Sequence, residues 1–160
     1  MKIVSATGHR PDKLGGYGDD VFDRLSRFAF SVLDKYESDT AIISGMALGW
    51  DQAVSKAALG HGMRLIAAVP FKGQESRWPL PSQARYQDLL AQASKVVVVC
   101  DGSYSAWKMH ERNKWMVDRA SEVLALWNGT DGGTKNCVDY AVKKDKTILN
   151  VWDDWQKWQG

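Results

Sequence analysis

The fifteen residues from Glu122 to Asn136, EVLALWNGTDGGTKN, have the pattern of a strand that runs through a glycine-rich loop towards a helix. Glu122–Trp127 is almost wholly apolar, which is typical of a strand buried on both faces of a parallel sheet. The loop that follows contains three glycines and two threonines, and the next segment, Lys135–Lys144, has a helical pattern. This composition is typical of a loop that surrounds a phosphate group.

The rest of the chain repeats this alternation of short apolar runs and amphipathic stretches. Further strands are predicted at Lys2–Ala6, Thr40–Ser44, Arg64–Val69, Lys95–Cys100 and Thr147–Val151. Further helices are predicted at Asp19–Tyr36, Leu48–Leu59, Ser82–Ala93 and Trp107–Ala120. Phe71–Pro81 has the composition of a loop, and Ser82 is the predicted N-cap of the helix after it. The apolar run KVVVVC at Lys95–Cys100 predicts a central strand that is buried on both faces.

Strand–helix alternation over 160 residues predicts one α/β domain, a doubly wound and mainly parallel sheet flanked by helices. Sheets of this kind bind ligands beyond the carboxyl ends of their strands, at the point where the strand order reverses. The strand-to-helix loops are therefore the places where binding or catalytic residues are expected. At the end of the chain, Trp152, Trp155 and Trp158 have helical spacing, and we expect their rings to pack back on the domain.

Composition excludes several classes of protein. The formal net charge is +2, which argues against a nucleic acid as the main partner. The two cysteines provide neither a disulfide framework nor a metal cluster, and no metal or cofactor is predicted. No apolar run approaches the roughly 20 residues of a membrane span, and the N-terminus lacks a signal-peptide pattern. We therefore expect a cytoplasmic protein.

Two loops early in the chain have binding chemistry. After the first strand, Gly8 permits a close backbone approach, and His9 and Arg10 can grip an anion or stack on a base. After the second strand, the stretch SGMALGWD begins a helix whose free amides favour an anion. Its spacing matches neither the Walker A motif nor the dinucleotide fingerprint. The ligand-binding candidates in this second loop are Ser44, Gly45, Met46, Gly49 and Asp51.

The third loop is the one quoted at the outset, and a charged helix precedes its strand. The ligand-binding candidates in this loop are Asn128, Gly129, Thr130, Gly132, Gly133 and Thr134. In the helix, Glu111 lies about one turn from Lys108 and can pair with it. An ordinary solvated charged face is the alternative interpretation of this helix.

These residues carry a family resemblance. Residues 109–134, MHERNKWMVDRASEVLALWNGTDGGT, resemble the lonely guy nucleotide phosphoribohydrolases, which have a Met-x-Glu-Arg-Lys helix and a Pro-Gly-Gly-x-Gly-Thr-x-Glu-Glu loop. The stretch SGMALGWDQAVSKAAL resembles the Ser-Gly-x-Ala-x-Gly-x-Asp loop of the DNA-processing protein A family. Both families belong to the Rossmann-like SLOG superfamily. Over nearly its full length, the chain looks most like the small bacterial and phage SLOG proteins related to YpsA.

The resemblance implies roles for individual residues. Arg112 would contact the substrate phosphate or sugar with Glu111 beside it, and the second and third loops would hold the ligand. The paired glutamates of the hydrolases fall on Asn136 and Cys137, neither of which is a carboxylate. Breaking an N-glycosidic bond requires a carboxylate that stabilises the sugar cation or activates water. The remaining carboxylate candidates are Glu111, Asp131 and Asp139, and the residues assigned to catalysis are Glu111, Arg112 and Asp131.

The loops and the family resemblance together suggest three alternative functions. The first is binding of a nucleotide or an ADP-ribose-like signalling molecule, as a sensor or sequestering protein. The second is a nucleotide phosphoribohydrolase that releases the free base, and the third is single-stranded DNA binding. SLOG relatives often build sites near dimer interfaces, so the resemblance also implies a homo-oligomer.

Overall fold

The apolar runs form one six-stranded sheet in the computed structural model, which describes residues 1–160. The strands are β1 (Ile3–Gly8), β2 (Ala41–Ser44), β3 (Arg64–Val69), β4 (Lys95–Val98), β5 (Glu122–Leu126) and β6 (Thr147–Asn150). Their order in the sheet is β4-β3-β2-β1-β5-β6, and every neighbouring pair is parallel. The predicted α/β class with a parallel sheet is confirmed.

Each strand is followed by a helix. The helices are α1 (Asp19–Leu33), α2 (Trp50–Gly60), α3 (Leu80–Gln92), α4 (Ala106–Arg119), α5 (Gly133–Lys143) and α6 (Trp152–Lys157). A short 3₁₀ turn at Pro11–Lys13 follows β1. None of these helices combines the length and the apolar character needed to cross a bilayer.

The helices cover both faces of the sheet because side chains alternate along each strand. In β2, Ile42 belongs to the core formed with α1 and α2, whereas Ile43 packs with Met116 of α4 on the other face. In β5, Val123 packs on the α4 and α5 side, whereas Leu124 belongs to the α1 and α2 core. The sheet is therefore doubly wound, as predicted.

The C-terminal helix closes the larger core with an aromatic cluster. Trp155 is buried, with its ring centroid 5.2 Å from that of Phe28. The guanidinium of Arg24 lies 4.3 Å from the Trp155 ring centroid and donates a 2.7 Å hydrogen bond to the Trp158 carbonyl. The expectation that the C-terminal rings pack back on the domain is confirmed.

Two local predictions are wrong. β4 is an edge strand and not a central one, and Val96 and Val98 are 45% and 49% exposed. β4 pairs with β3 alone. Apolar composition does not distinguish an edge strand from a central strand, because it carries no information on how many strands pair with the run. The third helix begins at Leu80 with Pro81 in its first turn, so Ser82 is not its N-cap.

The strand order creates a crevice at the carboxyl edge of the sheet. From β1 the chain proceeds through β2 and β3 to β4 on one side, and then crosses back to β5 on the other side of β1. The loops after β1 and β5 therefore lead to opposite faces of the sheet. A ligand site is expected between these two loops.

Candidate functional site

A cavity of about 550 Å³ lies at this crevice, bordered by the loops after β1 and β5 and by α4. The predicted site residues that line it are Gly8, His9, Arg10, Asp51, Arg112, Thr130, Asp131, Gly132, Gly133 and Thr134. The predicted site residues outside its lining are Ser44, Gly45, Met46, Gly49, Glu111, Asn128 and Gly129. The structure thus brings together the first loop, the third loop and the α4 arginine, and places most of the second loop behind them.

Arg112 is a buried cation on the cavity wall, only 5% exposed. Its Nη1 donates a 2.6 Å hydrogen bond to the Gly45 carbonyl, and its Nε donates a 3.0 Å bond to Asn113 Oδ1. Its Nη2 has no hydrogen-bond partner in the protein. Burial lowers the pKa of Arg112, and the nearby Asp51 opposes this change. The guanidinium is therefore fixed on one side and free to bind an anion on the other.

Asp51 is the buried carboxyl of the cavity. Its Oδ2 accepts a hydrogen bond of 3.3 Å from the Ala47 amide. Burial raises the pKa of Asp51 to about 6, although the positive charges of Arg112 and Arg10 lower it. A carboxyl with a pKa near neutrality can accept or donate a proton under physiological conditions.

The second loop supports the cavity from behind. Met46 has a left-handed backbone (φ 62°) and is fully buried, with its amide donating to Ser44 Oγ at 3.1 Å. A Cβ on Gly45 would lie 2.5 Å from Arg112 Nη1, so the absent side chain makes room for the guanidinium. A Cβ on Gly49 would lie 2.5 Å from the His9 carbonyl oxygen. These glycines permit close packing between loops.

The first and third loops are joined by a pair of residues. His9 Nε2 lies 2.9 Å from both the backbone nitrogen and the side-chain oxygen of Asn128. Burial lowers the pKa of His9, and the neutral ring can accept the Asn128 amide proton. Asn128 Oδ1 also accepts hydrogen bonds from Thr130, through its amide at 3.1 Å and its hydroxyl at 2.6 Å. Asn128 therefore shapes the third loop without lining the cavity.

The N-terminus of α5 opens on the cavity. Gly132 precedes the helix with φ 141°, and no side chain caps it. The first amide of the helix with a carbonyl partner is that of Asn136, which donates to Gly132. The amides of Gly133, Thr134 and Lys135 are therefore unpaired in the protein. Nothing lies within 4 Å of a Cβ built on Gly132 or Gly133, which leaves this helix end accessible to an anion.

Glu111 lies on the outer flank of α4. Its carboxylate is half exposed and lies 3.5 Å from Lys114 Nζ. The predicted partner Lys108 instead donates hydrogen bonds to the carbonyls of Asp101 and Ser103. The lining residues His110 and Arg112 lie about 100° around the helix from Glu111 in opposite directions, so Glu111 lies on the side of α4 that faces away from the cavity.

The two positions that match the paired glutamates of the hydrolases, Asn136 and Cys137, lie in different surroundings. Asn136 lines the cavity, whereas Cys137 is buried behind it, and burial raises the pKa of its thiol to about 11. Asp139 forms an ion pair of 2.6 Å with Lys135. Asp131 lines the cavity directly. The carboxylates that face the cavity are those of Asp12, Asp51 and Asp131.

Sequence reasoning missed several lining residues. They are Thr7, Asp12, Lys13, Ala47, Tyr104, Ala106, Met109, His110, Asn113 and Asn136. Four of them share one face of α4, because they lie three, four and seven residues along from Ala106. Tyr104 lies in the loop after β4, and the rule about carboxyl ends of strands identifies that loop. No group of three or more His, Cys, Asp or Glu side chains forms a metal-ligand set.

Comparison with known proteins identifies the family. Residues 23–160 match the family model described as DNA recombination-mediator protein A. The chain belongs to this family. The SPbeta prophage-derived protein YoqJ of Bacillus subtilis is 32% identical over 138 residues, which cover 76% of this chain and 80% of YoqJ. A UPF0398 protein of Bacillus velezensis is 24% identical over 92% of this chain and 87% of its own length. The SLOG membership implied by the sequence is confirmed.

Solved structures share the fold of this family member. The DNA processing protein A of Streptococcus pneumoniae superposes with a TM-score of 0.64 at 16% identity, over 92% of this chain and 49% of that protein. The Helicobacter pylori protein, whose structure concerns single-stranded DNA binding, gives a TM-score of 0.65 at 17% identity, over 92% and 63%. The protein TM1055 superposes with a TM-score of 0.60 at 16% identity, over 92% of this chain and 72% of that protein. The chain thus spans about half the length of the pneumococcal protein.

Proposed function

We propose that the protein binds a nucleotide or nucleotide-derived molecule in the cavity beside α4 and α5, as a sensor or sequestering protein. The observation that carries this proposal is that two anion-binding groups without partners in the protein face the same cavity. One is the free Nη2 of Arg112, and the other is the set of unpaired amides at the start of α5. A phosphate is the group that such a pair recognises best.

Other features of the cavity support a ligand larger than a free phosphate. Its volume of about 550 Å³ falls in the usual range for small-molecule sites. Arg10 and Lys13 add positive charge at its border, which suits a second phosphate. Asp51 offers a carboxyl that can accept hydrogen bonds from sugar hydroxyls. A nucleoside phosphate or an ADP-ribose-like molecule uses all three kinds of group.

Calorimetry with a matched pair of variants tests this proposal. The wild type is titrated with phosphate, ribose 5-phosphate, AMP and ADP-ribose. Gly133→Pro removes one amide donor at the first helical position, where proline is tolerated, and Gly133→Ala retains it in open space. We expect Gly133→Pro to weaken binding about tenfold through loss of a charge-assisted hydrogen bond, and Gly133→Ala to retain affinity. A wild type that binds none of the four ligands contradicts the proposal.

Hydrolysis of a nucleoside monophosphate is the alternative activity. Asp51 and Asp131 support it, because both carboxyls line the same cavity and Asp51 has a pKa of about 6. A carboxylate in this position would assist the addition of water to the sugar as the N-glycosidic bond breaks and the base leaves. Release of free base, measured by chromatography, should be abolished in Asp51→Asn or Asp131→Asn. Glu111→Gln tests the role that the family resemblance implies for that residue, and full turnover in this variant excludes it.

Single-stranded DNA binding is the second alternative. The Helicobacter pylori neighbour and the family membership support it, together with the exposed Tyr104, which lines the same cavity as Arg10 and Lys13. Basic and aromatic side chains together are typical of single-strand binding. Fluorescence anisotropy with an oligothymidine should then give an affinity that falls steeply with salt. A weak interaction that does not change with salt contradicts this alternative.

We also expect a homo-oligomer, on the basis of the superfamily resemblance. Light scattering after size exclusion measures the mass in solution directly. A mass of one chain at the concentrations used for ligand binding contradicts this expectation.

A further inference from the structure

The lining of the cavity contains both charged groups and apolar side chains. Arg10, Lys13, Arg112 and the start of α5 provide the groups that suit a phosphate. The apolar side chains of the lining come largely from one short segment, which contains Tyr104, Ala106 and Met109. A ligand that fills such a cavity combines an anionic end with a flat apolar end.

Tyr104 presents an open aromatic ring to this cavity. The side chain is 68% exposed, although large aromatic side chains are normally buried. One side of the ring meets Phe71, with centroids 5.9 Å apart and an interplanar angle of 84°. Phe71, two residues after the end of β3, is itself buried, so it provides a fixed support. The remaining surface of the Tyr104 ring is free to contact a ligand.

A buried lysine holds the loop that carries Tyr104. Lys108 is only 7% exposed, and its Nζ donates hydrogen bonds to the carbonyls of Asp101 and Ser103. Asp101 and Ser103 lie three residues and one residue before Tyr104, and Lys108 lies in the first turn of α4. Burial of an ammonium group is unfavourable unless it is hydrogen-bonded, so these bonds resist movement of the loop. The loop is therefore prepared for stacking before a ligand arrives.

We propose that Tyr104 is the stacking platform for a nucleobase, with the phosphate of the same molecule at the start of α5. This inference rests on the proposed function and narrows it, because it assigns the ligand to nucleotides, which should bind more tightly than sugar phosphates that lack a base. Stacking depends on the area and polarisability of a ring more than on its hydrogen-bonding edge. The platform therefore favours purines over pyrimidines only moderately and accepts both.

Calorimetry with AMP and ribose 5-phosphate separates the platform from the phosphate site, because the two ligands share everything except the base. Tyr104→Ala should weaken AMP binding about 5- to 150-fold, the range for loss of one stacked base. The same variant should bind ribose 5-phosphate as the wild type does. Tyr104→Phe retains the ring and should retain AMP affinity. Trp107→Ala removes a neighbouring aromatic side chain that is 58% exposed but does not line the cavity, and should leave both affinities unchanged.

The possible results distinguish the two proposals. If the wild type binds AMP no more tightly than ribose 5-phosphate, the platform is overturned and the phosphate site stands. Equal losses for both ligands in Tyr104→Ala likewise overturn the platform, because they indicate a structural effect. If the wild type binds neither ligand, the proposed function and the platform are both overturned. Thermal melting of each variant shows whether it is folded.

Discussion

Arg112 Nη1 and the carbonyl oxygen of Gly45 are joined by a hydrogen bond of 2.6 Å, which ties α4 to the loop after β2. The two residues are 67 positions apart in the chain. The bond aligns the guanidinium so that Nη2 remains available at the cavity wall. It also explains why residue 45 has no side chain, since a Cβ would lie only 2.5 Å from Nη1. A glycine that lies outside the cavity lining thus determines the orientation of the cation inside it.

Gly45→Ala should therefore weaken the binding of phosphate ligands without touching the ligand itself. The added methyl displaces the guanidinium, and we expect about a tenfold loss of affinity for AMP, as for a charge-assisted hydrogen bond. Calorimetry measures the loss, and Gly133→Ala is the control because its methyl enters open space. Unchanged AMP affinity in a folded Gly45→Ala protein contradicts the proposed role of Arg112.

The buried carboxyl of Asp51 should make stability depend on pH. Its pKa is about 6 in the folded protein and 3.8 when unperturbed, so folding favours the protonated form. The stabilisation is fully present below pH 3.8 and is lost as the pH rises through about 6. The shift of the pKa from 3.8 to about 6 changes the contribution of Asp51 to the unfolding free energy by about 3 kcal/mol between these pH limits. Asp51→Asn should remove this dependence, so its stability relative to the wild type should increase between pH 4 and pH 7.

Urea denaturation at several pH values measures the Asp51 effect. Asp39→Asn is the control, because Asp39 is exposed on the surface. Parallel pH profiles for Asp51→Asn and the wild type contradict the assignment of the titration to Asp51.

A polar network at the opposite edge of the sheet should stabilise the protein at neutral pH. Glu122 accepts a hydrogen bond from the Tyr36 hydroxyl and a 2.9 Å bond from Lys2 Nζ. Although burial raises the pKa of Glu122, its hydrogen bonds with Tyr36 and Lys2 bring the pKa below its usual value. The stabilisation is therefore present above the unfolded pKa of 4.5 and is lost as the pH falls through the folded pKa.

Glu122→Gln should accordingly lower the unfolding free energy at pH 7 by about 1–3 kcal/mol, which thermal melting detects as a lower melting temperature. The difference from the wild type should shrink as the pH is lowered below 4.5. Glu37→Gln, at an exposed position, serves as the control. If the loss of stability in Glu122→Gln does not change with pH, it results from lost packing and not from lost charge, which contradicts this prediction.

The C-terminal aromatic cluster should contribute strongly to stability. Trp155→Ala removes a buried ring from between Phe28 and Arg24, and we expect a loss of about 3–5 kcal/mol of unfolding free energy. Trp107→Ala removes the same atoms from an exposed position and should cost less than about 0.5 kcal/mol. Urea denaturation compares the two variants. Equal losses contradict the packing described for α6.

The alternation of apolar runs and amphipathic stretches was sufficient to predict the fold, because strands and helices have different periods. The run at Glu122–Leu126 is buried on both faces, as its apolar composition implies. The run at Lys95–Val98 has the same character but lies at the edge, because composition does not report how many neighbours a strand has. The glycine-rich loop at the start of α5 was recognised because its conformation is a local property.

Tertiary structure decided how the loops share the site. Arg112 and Glu111 are adjacent in sequence, yet α4 turns by about 100° per residue, so Arg112 lines the cavity and Glu111 does not. Gly45 contacts Arg112 and Tyr104 borders the cavity only because the parallel sheet aligns the carboxyl ends of distant strands. The sequence by itself determined the strands, the helices and the glycine-rich loops between them. The direction in which each side chain points depends on packing between distant segments, which no local pattern contains.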